Sequence, residues 1–211
     1  MRSEQRTFTE DMRRRQIVDC AIELIAEIGY PQASLSKIGE RASIAKSVVL
    51  YHFKGKHELV AAIVETVFTA SATVMVPRLS AAQSPTHRLI AYIESNGEFL
   101  DRHRAEAVAL YEISTSYRTA DGLRLDQAAQ RSVEAEGVPE VFALLDPESI
   151  FADGIREEEF HTSASPRDLK NALRAALDGA VTEMARDDDY DVLTYTNTVR
   201  DLFLTAMGVQ R

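Results

Sequence analysis

Apolar residues recur at three- and four-residue spacing along nearly the whole chain, and no segment alternates strictly enough for a half-buried strand. Ile17, Val18, Ala21, Ile22, Leu24, Ile25 and Ile28 make one such face, closed by Gly29-Tyr30-Pro31. Thr9 with Glu10 and Asp11 offers its start, since acidic residues suit the positive end of a helix dipole. Ser34 is placed to cap a short helix from Leu35 to Ala42, and after Ser43-Ile44-Ala45 another runs from Lys46 to His52. Leu59 to Val76 is a long periodic stretch, with Pro77 as its expected stop. Ser84-Pro85 and Ser165-Pro166 each read as a cap followed by proline in the first helical position, opening helices over 85–102 and 166–186. Further helices are expected near 104–118, 122–136 (ended by Gly137-Val138-Pro139), after Asp146-Pro147, and over 190–207 before Gly208. The expectation is an all-α chain of about nine helices.

Composition narrows the class. With 211 residues, 45% hydrophobic and 27% charged, the chain can bury a sizeable core. Its one cysteine, Cys20, forms no internal disulfide and reads as a reduced core residue. The first residues carry no apolar signal segment, and no apolar run is read as approaching the roughly 18–20 residues of a membrane helix. The expected compartment is therefore the cytoplasm, with no membrane partner. Net charge is −9, but unevenly placed: residues 1–56 carry 10 Lys+Arg against 7 Asp+Glu, residues 57–211 carry 14 against 26. Four of the five lysines, Lys37, Lys46, Lys54 and Lys56, fall within twenty residues. A basic head on an acidic body suits a protein that meets nucleic acid at one end.

Enzymatic signals are poor. The nine glycines never occur as G-x-G, which excludes a Rossmann loop and a P-loop. There is no G-x-S-x-G elbow and no H-E-x-x-H pair. Asp187 to Asp191 lacks the loop glycine and has Thr198 where a calcium loop needs glutamate. It reads as a solvated loop or as helix-opening charge, and Glu157-Glu158-Glu159 as a surface run. No enzyme activity, metal or cofactor is expected.

The lysine-rich segment has the pattern of a helix-turn-helix, in which a second short helix lies in the DNA major groove. Ile38, Ala42, Ile44, Val49 and Phe53 can face a core, which leaves Lys46, Ser47, Val48 and Tyr51 outward. Outward apolar groups suit thymine methyls and sugar edges. Local propensity at Ser47-Val48-Val49-Leu50-Tyr51-His52-Phe53 favours a strand, but the helical neighbours and three-residue turn override it.

At these residues the chain resembles the TetR (tetracycline repressor-like) family of transcriptional regulators. Ile38-Gly39-Glu40-Arg41-Ala42-Ser43-Ile44-Ala45, and then Lys46 through Tyr51-His52-Phe53-Lys54-Gly55-Lys56 to Leu59, follow the family's pattern, with Ile17 to Tyr30 as its first helix. The motif covers about fifty residues; the rest matches mainly in layout, together with a glycine-to-phenylalanine element at Gly154 to Phe160. The resemblance implies an N-terminal three-helix DNA-binding head, residues 1–56, and an effector-binding and dimerisation body, residues 57–211. It implies base contacts from Lys46, Ser47 and Val48, backbone clamping by His52 and Lys56, and hydroxyl contacts from Ser34 and Ser36, with Lys37, Ala45 and Tyr51 also on the DNA side. Leu50 stands where the family has a backbone-contacting tyrosine, Ser43 where it has the turn glycine, and Ala45 where it has serine.

Arg13-Arg14-Arg15 is a solvated face or a flanking phosphate contact, and Arg2 and Arg6 belong to a disordered start or a minor-groove arm. For the body, effector contacts are expected from Phe68, Tyr92, Asn96, Phe99, Tyr111, Glu112 and Thr115. A homodimer interface is expected from Leu169, Leu173, Ala176, Leu177, Ala180, Met184, Tyr195, Val199, Leu202 and Phe203, whose broad stripes can serve core and partner together. The implied function is a ligand-responsive regulator, in the usual family manner a repressor, that binds a palindromic operator and is released by a small molecule. The alternative is a small-molecule-binding protein whose head contacts DNA without reading sequence.

Overall fold

A computed structural model describes residues 7–136 and 143–209. Among the described residues there are ten α-helices, a 3-10 turn at Tyr30–Gln32 and no strand, so the all-α expectation holds. The helices are α1 (Phe8–Ile28), α2 (Leu35–Arg41), α3 (Lys46–His52), α4 (Lys56–Ala81) and α5 (Pro85–Arg102). They continue with α6 (Arg104–Ser116), α7 (Leu125–Glu136), α8 (Pro147–Arg156), α9 (Pro166–Met184) and α10 (Val192–Ala206). The Gly137-Val138-Pro139 stop and the Arg2 and Arg6 arm lie outside the described residues. The chain forms two compact units: Met1–Val67 with Ala105–Arg131, and Phe68–Arg104 with Ser132–Arg211. The compact unit that contains α1 to α3 also takes in residues beyond the expected division at 56, the start of α4 and most of α6.

In the first unit, α1 buries Ile17, Val18, Ala21, Ile22, Leu24 and Ile25, the face that its spacing marks out. The helix starts at Phe8, earlier than Thr9. Thr7 is the cap, its hydroxyl accepting from Glu10 N at 3.3 Å while Glu10 Oε2 accepts from Thr7 N at 2.8 Å. This reciprocal box satisfies two helix-end donors that Thr9 would leave orphaned. Gly29 ends the helix at φ 79°, where a side chain would strain the backbone. Ser34 caps α2 through Lys37 N, and Ile38, Ala42, Val49 and Phe53 are buried as the helix-turn-helix pattern requires.

The second unit is built on α5, α8, α9, α10 and the later part of α4. Its core joins Met75, Leu79, Leu89, Ile93, Phe151, Phe160, Leu173, Leu177 and Val199. Ser84, Asp146, Ser165 and Asp191 cap α5, α8, α9 and α10 through their side chains. Two close approaches fix the packing. Thr196 lies on Gly97, and the Phe160 ring lies on Gly154, each where a Cβ would otherwise sit. The second contact is the physical content of the Gly154 to Phe160 element. Glu159 is more than part of a surface run: its Oε2 accepts from Thr86 N at 2.9 Å, closing the first turn of α5 from a distant segment. That hydrogen bonding to Thr86 holds the Glu159 carboxyl below the usual carboxylate range.

Two expectations for the long helix are corrected. Pro77 lies inside α4, which continues to Ala81. Proline's fixed φ suits a helix, and the bond it removes leaves a carbonyl on Thr73, an exposed residue, where water can satisfy it. The same helix has mean hydropathy 1.9 over an 18-residue window, so by length and composition alone it is apolar enough to cross a membrane. Glu65 is the only charged residue from Leu59 to Val76, and the threonines, serine and alanines there conceal the run from a reading that looks for large apolar residues.

Candidate DNA-binding surface

The surface forms around α3. Lys46, Ser47, Leu50 and Tyr51 are exposed, Val48 and His52 half-buried, and Val49 and Phe53 buried. Alternation of inward and outward positions therefore matches the helical reading, not the strand that local propensity suggested. Ala45, exposed, is the N-cap of α3 and supplies no side-chain hydrogen bond. Ser43 takes φ 55°, the left-handed region that the turn demands and that glycine occupies without a side-chain penalty. Gly39 lets the turn close tightly: Ile44 O lies 2.9 Å from where a Cβ would stand. Ser34 and Lys37 are exposed and Ser36 half-buried at the start of α2.

The end of α3 is held from α1. Arg14 donates to the His52 carbonyl and to Glu58 Oε1 at 3.2 Å, and its guanidinium lies 3.9 Å from the Phe53 ring centre. A cation at the C-terminal carbonyls of a helix complements its dipole. Arg14 is thus a structural clamp, whereas Arg13 and Arg15 are exposed. Tyr51 is 73% exposed, yet its hydroxyl donates to Glu10 Oε1 at 3.1 Å. Its ring meets His52 edge-on, with centroids 5.1 Å apart. Hydrogen bonds from Thr7, backbone first, hold the Glu10 carboxyl below its ordinary value, with Tyr51 adding to the effect.

Lys56 departs from a simple backbone clamp. Its Nζ donates to Tyr30 O at 2.8 Å and lies 3.9 Å from the Tyr30 ring centre. Burial pushes its pKa down. Tyr30 packs edge-on against Tyr117 at 5.9 Å, and Tyr117 Oη is 2.8 Å from His57 Nδ1. Glu112 Oε2 reaches the backbone at Gly29, 3.2 Å from an ideal Cβ position there. The end of α1, the start of α4 and the end of α6 thus form one knot within the first unit. Sequence reasoning gives Arg14 a solvated or phosphate-contacting role and misses Tyr117, because nothing local marks a side chain whose partners lie tens of residues away. For Glu10, the three-residue spacing from Thr7 is the local signal that marks the capping box, and nothing local marks its bond to Tyr51.

The seven expected effector residues fall on both units. Tyr92 and Phe99 are buried in the second, where Phe99 stacks on His103 at 5.2 Å. Asn96 is half-buried there, and Phe68 is 38% exposed. Tyr111 and Glu112 are half-buried in the first unit, and Thr115 is exposed with its hydroxyl bonded to Tyr111 O at 3.1 Å. Of the ten expected interface residues, Leu169, Leu173, Leu177, Ala180, Met184 and Val199 are buried within the chain. They pack on the chain's own helices, so a partner cannot reach them without unpacking that core. Ala176, Tyr195 and Phe203 are half-buried, the Tyr195 hydroxyl donating to Ala176 O at 2.8 Å, while Leu202 is 64% exposed. The acidic loop is structural: Arg104 donates to Asp188 O and Tyr190 O, and Asp191 caps α10.

Residues 17–63 match the model of the tetR family of bacterial regulatory proteins. The fatty acid metabolism regulator protein of Bacillus subtilis is 24% identical over 194 residues, covering 91% of this chain and 94% of that protein. The crystal structure of the transcriptional regulator FadR from Bacillus subtilis in complex with stearoyl-CoA has TM-score 0.71 at 22% identity, covering 91% of this chain and 98% of that one. NalD, the secondary repressor of the MexAB-OprM efflux pump in Pseudomonas aeruginosa, has TM-score 0.66 at 20% identity, covering 95% and 98%. The helix-turn-helix lies inside the residues that match the tetR family of bacterial regulatory proteins, and the helical fold of the whole chain is similar to that of these solved regulators.

Proposed function

We propose that the protein binds a palindromic operator as a homodimer, represses the adjacent genes, and leaves DNA when an effector with a long acyl chain binds the body. The exposed face of α3 carries this reading: a short helix presents Lys46, Ser47, Val48, Leu50 and Tyr51 while Val49 and Phe53 anchor it. Two such helices fit major grooves one turn apart, about 34–36 Å. Ser34, Ser36, Lys37, Ala45, His52 and Lys56 flank that helix as candidate backbone contacts; an ammonium has three donors, so Lys56 can hold Tyr30 and still meet a phosphate. Similarity to a fatty acid metabolism regulator over nearly the full length supports the effector class, and a fatty acyl thioester of coenzyme A is its natural form. For the dimer, exposed Leu193 and Leu202 on α10, with exposed Ala172 and Ala175 on α9, suit a helical interface better than the buried residues of the same helices.

Purified protein incubated with a genomic fragment library at near-physiological salt, with the retained fragments sequenced, tests the reading. A short shared palindrome with a dimer-sized footprint, released by stearoyl-CoA but not by free coenzyme A, is the expected result. Retention of fragments with no common sequence would instead establish the sequence-blind head. Lys56→Ala should weaken binding to all sequences alike and reduce the salt slope by about one. Lys46→Ala should change base preference.

A further inference from the structure

Glu10 joins two structures that the sequence keeps forty-one residues apart. Its Oε2 closes the N-terminal box of α1 on Thr7 N at 2.8 Å, and its Oε1 accepts the Tyr51 hydroxyl at 3.1 Å. An ionised carboxylate offers no proton, so in this pair the tyrosine is the donor. Tyr51 has a single hydroxyl proton, and that proton is committed to Glu10. Toward any other group its oxygen can only accept.

This matters for what Tyr51 can recognise. Phosphate oxygens and the keto groups of guanine and thymine are acceptors, and a hydroxyl that can only accept gains nothing from them. Adenine N6 and cytosine N4 carry amino donors on the major-groove edge. We propose that Glu10 is a positioning residue for sequence readout, holding Tyr51 as a hydrogen-bond acceptor for an exocyclic amino group of adenine or cytosine. The inference rests on the DNA-binding reading above and goes beyond it, because it assigns Tyr51 to a base edge in place of the phosphate contact that a tyrosine hydroxyl there would otherwise suggest. Arg14, one turn beyond Glu10, fixes the same end of α3 through the His52 carbonyl, so the tyrosine is presented from a braced helix end.

The test is selection from a randomised operator library with the wild type, Tyr51→Phe, Glu10→Gln and the double variant, scored position by position. Tyr51→Phe should lower the preference for an amino-bearing base by about ten-fold at one position of each half-site, leaving other positions unchanged. Glu10→Gln should relax that same position, because a carboxamide N–H can donate to the tyrosine oxygen and turn its proton outward. In the Tyr51→Phe background, Glu10→Gln should add nothing. Thermal melts verify that each variant is folded. A uniform loss over all sequences in Tyr51→Phe would assign Tyr51 to the phosphate backbone and overturn the proposal. An effect of Glu10→Gln that is equal with and without the tyrosine hydroxyl would overturn it too. If the wild type selects no sequence at all, the operator reading falls with it; if it selects a palindrome and Glu10→Gln leaves every position alone, only the proposal falls.

Discussion

The helices of the second unit and α3, the helix proposed to face DNA, are finished differently at their ends. Ser84, Asp146, Ser165 and Asp191 each put a side-chain oxygen on the backbone N–H groups of α5, α8, α9 and α10. Helix α3 has Ala45 as its N-cap, with no side-chain oxygen to give, and follows a turn whose Ser43 is held at positive φ. Helices whose work is packing are locally consistent, with pattern, cap and proline all agreeing. Helix α3 is instead held from outside, by Phe53 beneath it and Arg14 at its end. Departures from local rules at functional elements, offset by tertiary support, are the expected arrangement.

The strongest challenge to this comparison removes that support. Phe53→Ala should cost about 3–5 kcal/mol, since the ring is fully buried and its loss leaves a cavity under α3. Chemical denaturation measures it, and a loss under 1 kcal/mol would show that α3 does not depend on its anchor. Next comes Gly154→Ala, which drives a methyl into the Phe160 ring and should destabilise by about 1–3 kcal/mol. If stability is unchanged, the ring is not fixed on the glycine.

Capping α3 sharpens the contrast in the other direction. Ala45→Ser should stabilise by about 0.5–2 kcal/mol, read as a shift in denaturation midpoint, because it supplies the oxygen that α5, α8, α9 and α10 already have. Ser43→Gly relieves the left-handed strain at the turn but adds freedom to the unfolded chain, so a gain of under about 1 kcal/mol is expected. In acid, the second unit should lose support as Asp153, held below the usual carboxylate range by the Arg88 guanidinium and then by Arg156, takes up its proton. Its folded-state pKa is depressed, so the contribution is complete above the ordinary aspartate range and disappears as pH falls through the lowered value. Asp153→Asn should flatten that part of the pH–stability curve.

How legible the fold was follows from where each determinant lies. The caps at Ser34, Ser84, Ser165 and Asp146, and the inward face of α1, were readable because each depends on residues within one or two turns. Pro77 misled because a proline ends a helix only when its missing bond cannot be replaced. The stripes on α9 and α10 were readable as apolar but not as belonging to a core or an interface, since Leu177 and Leu202 have the same chemistry and differ only in what surrounds them. Tyr92 and Phe99 were likewise read as effector contacts, and tertiary packing buries both.

By itself the sequence determined the all-α class, most helix limits, and the identity of the helix-turn-helix, because these follow from periodicity, capping and a dense local motif. Tertiary structure alone decided that Lys56 rests on Tyr30, that Tyr117 meets His57, that Arg14 clamps α3, and that Glu10 accepts a hydrogen bond from the Tyr51 hydroxyl. Those are contacts between residues far apart in the chain, and the direction of a side chain toward a distant partner is fixed only when the helices that carry both have packed.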